Sequence, residues 1–332
     1  MKQKNTNYPL KSAIRNMVED VPVCYSTWNI SEVKKMLFEK IKKMDTINYI
    51  YVIAKDKKLV GVLSIKEIFR RKGTARVDLV MKKDIVKVRP YTDQERVAIL
   101  ALNNNLKAIP VVEKDDKFLG VVPSDIILSI LHAENVEDFL RMAGIRSSFL
   151  KISEGSSFYL ARVRIPWLIL GLLGGILAAK IMNYFETPLK DYFILTSFIP
   201  LMLYLASAVG TQTETLFIRS LALDNKVNFL KYLLREINVG FLMAITLGFL
   251  LALVSIFWFG SPAFIGLIMA ISLFLTILTA VLIGVTIPFV LQKLKKDPAI
   301  GTGPFATILR DIMSLIIYFS VSISLLRLVQ IL

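Results

Sequence analysis

The sequence predicts an α/β module built as a tandem repeat, followed by an all-α polytopic membrane region of five transmembrane helices. Three observations carry this. Apolar residues make up 55% of the chain, and the mean hydropathy of +0.58 is too high for a soluble protein of this size. The apolarity is uneven: from Pro166 onward the runs reach the roughly 17–25 residues that cross a bilayer, whereas residues before about 160 are ordinary charged sequence. Within that charged half, one strand–turn–strand block occurs twice.

The repeat is read directly. Residues 49–62, YIYVIAKDKKLVGV, match residues 107–121, KAIPVVEKDDKFLGV, which sets Gly61 and Gly120 59 positions apart (120 − 61). Each copy reads as strand, charged turn, strand and amphipathic helix, the helices at 65–70 and 125–132. A further strand and helix precede each block, at 21–25 with 31–42 and at 85–89 with 93–103. Alternating strands and helices in a tandem repeat imply one compact module of two similar halves. The expected divisions are 1–19 as an N-terminal extension, 20–80 and 81–140 as the two copies, 141–164 as a connecting helix and 165–332 as the membrane region.

The five expected spans are about 165–184, 193–216, 238–260, 263–291 and 305–328. Arg162 and Arg164 precede span one. Arg219, Lys226, Lys231 and Arg235 lie between spans two and three, and Lys293, Lys295 and Lys296 between four and five. The opposite side holds Glu186, Lys190 and Asp191, then the uncharged Gly260-Ser261-Pro262. The positive-inside rule therefore puts the N-terminal half in the cytosol and the C-terminus outside. The net charge of +15 follows from the same loops and from anionic lipid as partner, and no nucleic-acid-binding motif accompanies it. Cys24 and His132 are the lone cysteine and histidine, so neither a disulfide within the chain nor a Cys/His metal cluster can form. With no Ser/His or Cys/His set, no phosphate loop and no second membrane acid beside Asp311, the chain is not expected to be an enzyme.

Asp311 lies inside span five, where a carboxylate is costly and marks function. Just upstream, Asp297-Pro298-Ala299-Ile300-Gly301-Thr302-Gly303-Pro304 is too rich in Gly and Pro for a regular helix, as expected where carbonyls and a carboxylate meet a cation. At helical spacing Gly303, Thr307, Asp311, Ser314 and Tyr318 share a face. Span two carries Ser207 and the polar row Gly210-Thr211-Gln212-Thr213-Glu214-Thr215, which reads either as a tight helix contact or as a pore wall. One carboxylate with hydroxyls and carbonyls is a hard oxygen set, suited to Mg²⁺, Ca²⁺ or Mn²⁺. A symmetric dimer would supply two such carboxylates to a largely hydrated ion.

These residues resemble a known family. The repeat resembles a tandem pair of CBS domains, and the chain from about residue 20 is similar to magnesium channels of the MgtE family. The resemblance is carried by residues 88–95 (VRPYTDQE), Arg141-Met142-Ala143-Gly144, Ser153-Glu154-Gly155, Ala161-Arg162-Val163-Arg164, Gly210-Thr211-Gln212 with Thr215-Leu216 and Ile218-Arg219, Ile287-Pro288-Phe289, Asp297-Pro298-Ala299, Gly303-Pro304-Phe305 and Asp311. It implies an α/β CBS pair and a five-helix pore domain forming a homodimer, with the pore on the two-fold axis between spans two and five. Asp311 would be the ion-binding carboxylate. The pore wall would draw on Ala208, Gly210, Thr211 and Glu214 of span two and on Gly303, Pro304, Thr307 and Ser314 of span five. Glu154 is the candidate regulatory Mg²⁺ ligand; Glu134, Glu137 and Asp138 read equally as a solvated helix face. ATP or another adenine nucleotide is the ligand implied for the CBS pair, at Gly61, Ser64 and Glu67 of the first copy and Gly120 and Asp125 of the second.

The chain also departs from the family pattern. Many members carry an acidic helical domain before the CBS pair, where only about 20 residues stand here, so that domain is expected to be missing. Ser207-Ala208-Val209-Gly210 replaces the usual Gly-Asn-x-Gly. Glu214 and Arg310 stand where small or neutral residues are expected, both towards the cytosolic end. Either they pair across the helix interface, or Arg310 snorkels to the headgroups while Glu214 lines an inner vestibule. The leading functional expectation is a Mg²⁺-selective, CBS-gated dimeric channel. The alternatives are a less selective route for Mn²⁺, Co²⁺ or Ca²⁺, and a membrane-anchored nucleotide sensor that conducts nothing.

Overall fold

The computed structural model describes residues 8–145, 155–186, 189, 192–223, 227–301 and 303–331. The chain divides into two compact units, 1–135 and 136–332.

In the first unit, β1 (Val23–Tyr25) pairs parallel with β2 (Tyr49–Ile53), which pairs antiparallel with β3 (Leu59–Ser64). The second copy contributes β4 (Ala108–Val112) and β5 (Phe118–Pro123), also antiparallel. The two hairpins repeat each other in detail. Tyr49 faces Ser64 as Ala108 faces Pro123, and each ladder slips once, at Val52/Ile53 and at Val111/Val112. Their turns place Lys57 (φ 65°) and Asp116 (φ 62°) in the left-handed region. The turns also join the hairpins: Leu59 N–H donates to Asp116 O at 2.9 Å and Phe118 N–H to Lys57 O at 3.0 Å.

The helices begin where the sequence supplies caps. Asn29 and Glu32 form a capping box at the start of α1 (Ile30–Lys40), whose Ile30, Val33, Met36 and Leu37 are buried at helical spacing. Ser64 caps α2 (Ile65–Arg70), after which comes the short α3 (Val77–Val80). Asp93 caps α4 (Gln94–Asn103) by accepting from Glu95 N–H at 2.9 Å. The last helix, α5 (Ser124–Met142), runs well past the expected 125–132.

Two expectations change here. The strand expected at 85–89 is reduced to a single parallel bridge, Val88 to Val111. In the first copy Tyr51 N–H donates to Pro22 O at 2.9 Å; Pro110 occupies the matching position and has no N–H, so that ladder cannot extend. The second change concerns the segment set apart as an extension, 1–19. Its described part is packed into the second copy, where Ala13 N–H donates to Thr92 O, Gln94 N–H to Lys11 O, and Val18 bridges Val121. Residues 75–82 do the same for the first copy, through Ile30 N–H to Ala75 O and the bridge Val62–Lys82.

This crossing explains the repeat glycines. A Cβ on Gly120 would lie 2.4 Å from Val18 O, and one on Gly61 would lie 2.2 Å from Met81 Sδ. Cys24 is fully buried in the first copy's core, and burial pushes its thiol up to about 12.

Among the described residues of the second unit, five helices are long and apolar enough to cross a membrane. Span one is Ser157–Glu186 and span two Ile199–Leu223, the latter preceded by a short helix, Phe193–Ser197. Span three is Phe229–Phe257, span four Ala263–Lys293 and span five Pro304–Ile331. Spans one and three start earlier than expected because charged residues such as Arg162, Arg164, Lys231 and Arg235 end an apolar run without ending a helix. Within the stretch expected as a connecting helix, 141–164, α5 ends at Met142 and residues 157–164 belong to span one.

Span four is the hub and packs against spans two, three and five; span one packs against span five. Small residues set the close approaches. A Cβ on Gly248 would lie 3.2 Å from Ala270 O, and one on Gly284 would lie 2.9 Å from Gly210 O.

Two outcomes follow. Gly120→Ala should cost about 1–3 kcal/mol, because a backbone carbonyl blocks the methyl, and Gly61→Ala less, because the Met81 side chain can turn away; comparing urea midpoints of the two variants checks this. Ellman's reagent at pH 8 should find no reactive thiol in the native protein and one per chain after unfolding, since Cys24 is buried and protonated there.

Candidate functional site

Asp311 faces a cavity of about 490 Å³. Span five supplies Pro304, Thr307, Ile308 and Asp311 to its wall, with Gly303 just before it; span two supplies Thr211, and span one supplies Gly171, Gly174, Gly175 and Ala178. Met142 and Ala143, at the end of α5, close the side nearest Gly303. Span one is glycine-rich along this wall. A Cβ on Gly171 or Gly175 would meet nothing within 4 Å, whereas one on Gly174 would strike Ile308 at 2.6 Å. Gly174 thus lets the helices touch, and its neighbours leave the gap.

The closing end is tied down. Arg141 forms ion pairs with Glu137, one turn back on α5, and with Asp297 in the segment between spans four and five. Asp297 also accepts from Ala299 N–H at 2.8 Å, which fixes the turn leading to Gly303. A Cβ on Gly303 would lie 2.7 Å from Met142 O, so glycine is needed there for the chain to approach.

Behind the wall lies a buried ion pair. Arg310 Nη1 donates to Glu214 Oε2 at 3.2 Å, and the two side chains are 1% and 2% exposed. Arg310 does not snorkel. Its Nη2 reaches Thr211 Oγ1 and Thr307 Oγ1, each at 3.3 Å, and both threonines face the cavity. Gly210 makes this fit: a Cβ there would lie 2.4 Å from Arg310 Cδ.

Of the residues expected to line a pore, Thr211, Gly303, Pro304 and Thr307 lie on the cavity wall with Asp311. Three do not. Gly210 is buried under the guanidinium, Glu214 is turned to Arg310, and Ser314 is 3% exposed inside the bundle. Ala208 is half-buried on span two, away from this wall. The stripe on span five keeps one face, but its second half is covered: Tyr318 O–H donates to Leu195 O of the short helix at 2.6 Å. On span two Thr211, Gln212 and Thr215 are exposed. Sequence reasoning missed the span-one glycines, and singled out Arg141 as part of a motif without its ion pairs. The small-residue spacing Gly171, Gly174, Gly175, Ala178 was the available signal for the former.

Glu154 lies outside the described residues. Glu134 is engaged by Lys11 at 2.9 Å and by Gln94 at 2.5 Å. The positions expected to hold a nucleotide have local roles: Gly61 and Gly120 admit crossing strands, Ser64 caps α2, Glu67 pairs with Arg70 and Arg71, and Asp125 is exposed. The neighbouring cleft, about 210 Å³, is lined by Tyr49, Tyr51, Lys82, Asp84, Asn104 and Pro110 among others. Among the described residues no three His, Cys, Asp or Glu side chains converge on a metal position.

Comparison with known proteins agrees with this architecture. The family model for MgtE, a divalent cation transporter, matches residues 199–321, and the CBS domain model matches 11–73 and 76–133. The chain is 36% identical over 322 residues to a magnesium transporter MgtE of Bacillus subtilis, covering 95% of this chain and 70% of that one. It is 34% identical to a magnesium transporter MgtE of Thermus thermophilus, covering 88% and 65% of the two chains. A third, from Enterococcus faecalis, is 30% identical and 61% covered. Among solved structures, the cytosolic domain of the Mg²⁺ channel MgtE in complex with ATP is 30% identical over 37% of this chain and 50% of that one, with a TM-score of 0.37. On the identity and coverage shared with the Bacillus subtilis relative, the chain belongs to the MgtE family.

Proposed function

We propose that this protein moves Mg²⁺ across a membrane through a pore in which Asp311 is the ion-binding carboxylate. The observation that carries the reading is the placement of that one acid on an open cavity beside threonine hydroxyls, within a five-span bundle. Oxygen donors suit a hard cation, and a lone carboxylate suits one that keeps most of its water. The ion transported by the relatives supports the same choice. Relatives that are transporters also support a non-enzymatic role.

Two copies complete the pore in this reading. Thr211, Gln212 and Thr215 form an exposed polar row on span two, and none of span one's apolar window is buried within the chain. A polar row on a membrane helix requires water or a partner, and a two-fold axis along it would bring two Asp311 carboxylates to one ion path. The charge asymmetry of the loops supports a cytosolic CBS pair and a C-terminus outside. The soluble unit is the regulatory part. An adenine nucleotide would be held in the cleft lined by Tyr49 and Lys82, where the Tyr49 ring can stack on the base and the ammonium can meet phosphate.

In liposomes, Asp311→Asn should reduce Mg²⁺ flux more than about tenfold, the factor carried by about 1.4 kcal/mol. Equal flux in variant and wild type would defeat the pore assignment. Mn²⁺ flux equal to that of Mg²⁺ would favour the less selective transporter, and absence of any flux the non-conducting sensor. Titrating the full chain with ATP should show binding that Lys82→Ala weakens at least about fivefold, as expected for loss of one charge-assisted contact; unchanged affinity would remove the nucleotide from that cleft.

A further inference from the structure

We infer that Arg310 sets the cation affinity of the Asp311 cavity, and that Glu214 holds that setting in a workable range. The inference rests on the reading of this cavity as the ion path. Arg310 is the chain neighbour of Asp311, yet its side chain turns away from the cavity and lies behind the wall. Its guanidinium is one hydroxyl deep: Nη2 is 3.3 Å from Thr211 Oγ1 and 3.3 Å from Thr307 Oγ1. Glu214 meets Nη1 at 3.2 Å and is absent from the wall. The pair is therefore oriented, with its positive member on the threonines that line the cavity.

A guanidinium keeps its charge at any physiological pH. In a poorly polarisable setting such a charge repels a nearby divalent ion twice as strongly as a monovalent one. With Glu214 in place, the cavity meets the short-ranged field of a dipole. Without it, the cavity meets a full positive charge. A conducting site must hold its ion weakly enough to release it, and a cation behind the wall opposes the grip of Asp311 in that sense.

The test measures the half-saturating concentration for Mg²⁺ flux, and for a monovalent cation, with the full chain in liposomes. Glu214→Gln should weaken Mg²⁺ apparent affinity about tenfold or more. Arg310→Gln should strengthen it, and the double variant should fall between the singles. The Mg²⁺ shift should be about the square of the monovalent shift, a scaling that a purely structural role would not produce. Monodisperse elution in detergent establishes that each variant is folded. A folded Glu214→Gln protein with wild-type affinity overturns the inference. If Glu214→Gln does not fold, wild-type affinity in Arg310→Gln overturns it instead, and tighter binding supports it. The Asp311→Asn variant separates the two claims. If it abolishes flux while the charge variants leave affinity unmoved, only this inference fails; if it leaves flux intact, the cavity is not the path and both fail.

Discussion

A buried charge in a membrane helix must be answered, and the Glu214–Arg310 pair is where this bundle answers it. Such a pair adds little net stability, but removing one partner costs about 3–5 kcal/mol because the other is left stranded. The helices around it are shaped accordingly. Gly284 of span four approaches the backbone of span two at Gly210, and Gly210 leaves the room that the guanidinium fills. The guanidinium then reaches Thr211 and Thr307, so spans two and five are fixed through the same residues that form the cavity wall. Packing, charge pairing and the position of Asp311 are one arrangement.

The cavity depends equally on what is absent. Span one meets span five at Gly174 and stands off it at Gly171 and Gly175. Farther along span five the same face is covered by the short helix before span two, where Tyr318 finds Leu195 O. One stripe of residues is thus open at Asp311 and closed at Ser314 and Tyr318. At the other end, Arg141 binds Glu137 and Asp297 together and sets the end of α5 against Gly303.

The CBS pair shows how a repeat can be visible while its assembly is not. The matching blocks around Gly61 and Gly120 coincide with the two hairpins. They did not reveal that each copy is completed by a bridge from chain outside its hairpin, Val18 onto Val121 and Lys82 onto Val62. Those glycines, which a family pattern would assign to a ligand, are where the borrowed chain crosses. Pro110 in place of Tyr51 also broke the symmetry, since one missing N–H shortens a strand that its sequence otherwise favours.

The sequence by itself determined the two-part organisation, the five spans and the position of Asp311 within the fifth. Hydrophobic run length, helical and strand periodicity and the cost of a charge in lipid are local properties, readable without a neighbour. Only the tertiary structure decided which side of span two faces the cavity, that Glu214 is spent on Arg310, that span one carries the gap, and that residues 8–19 complete the second copy. Each of those depends on what lies across a helix or strand interface, and a partner distant in the chain leaves no periodic mark on either segment that meets there.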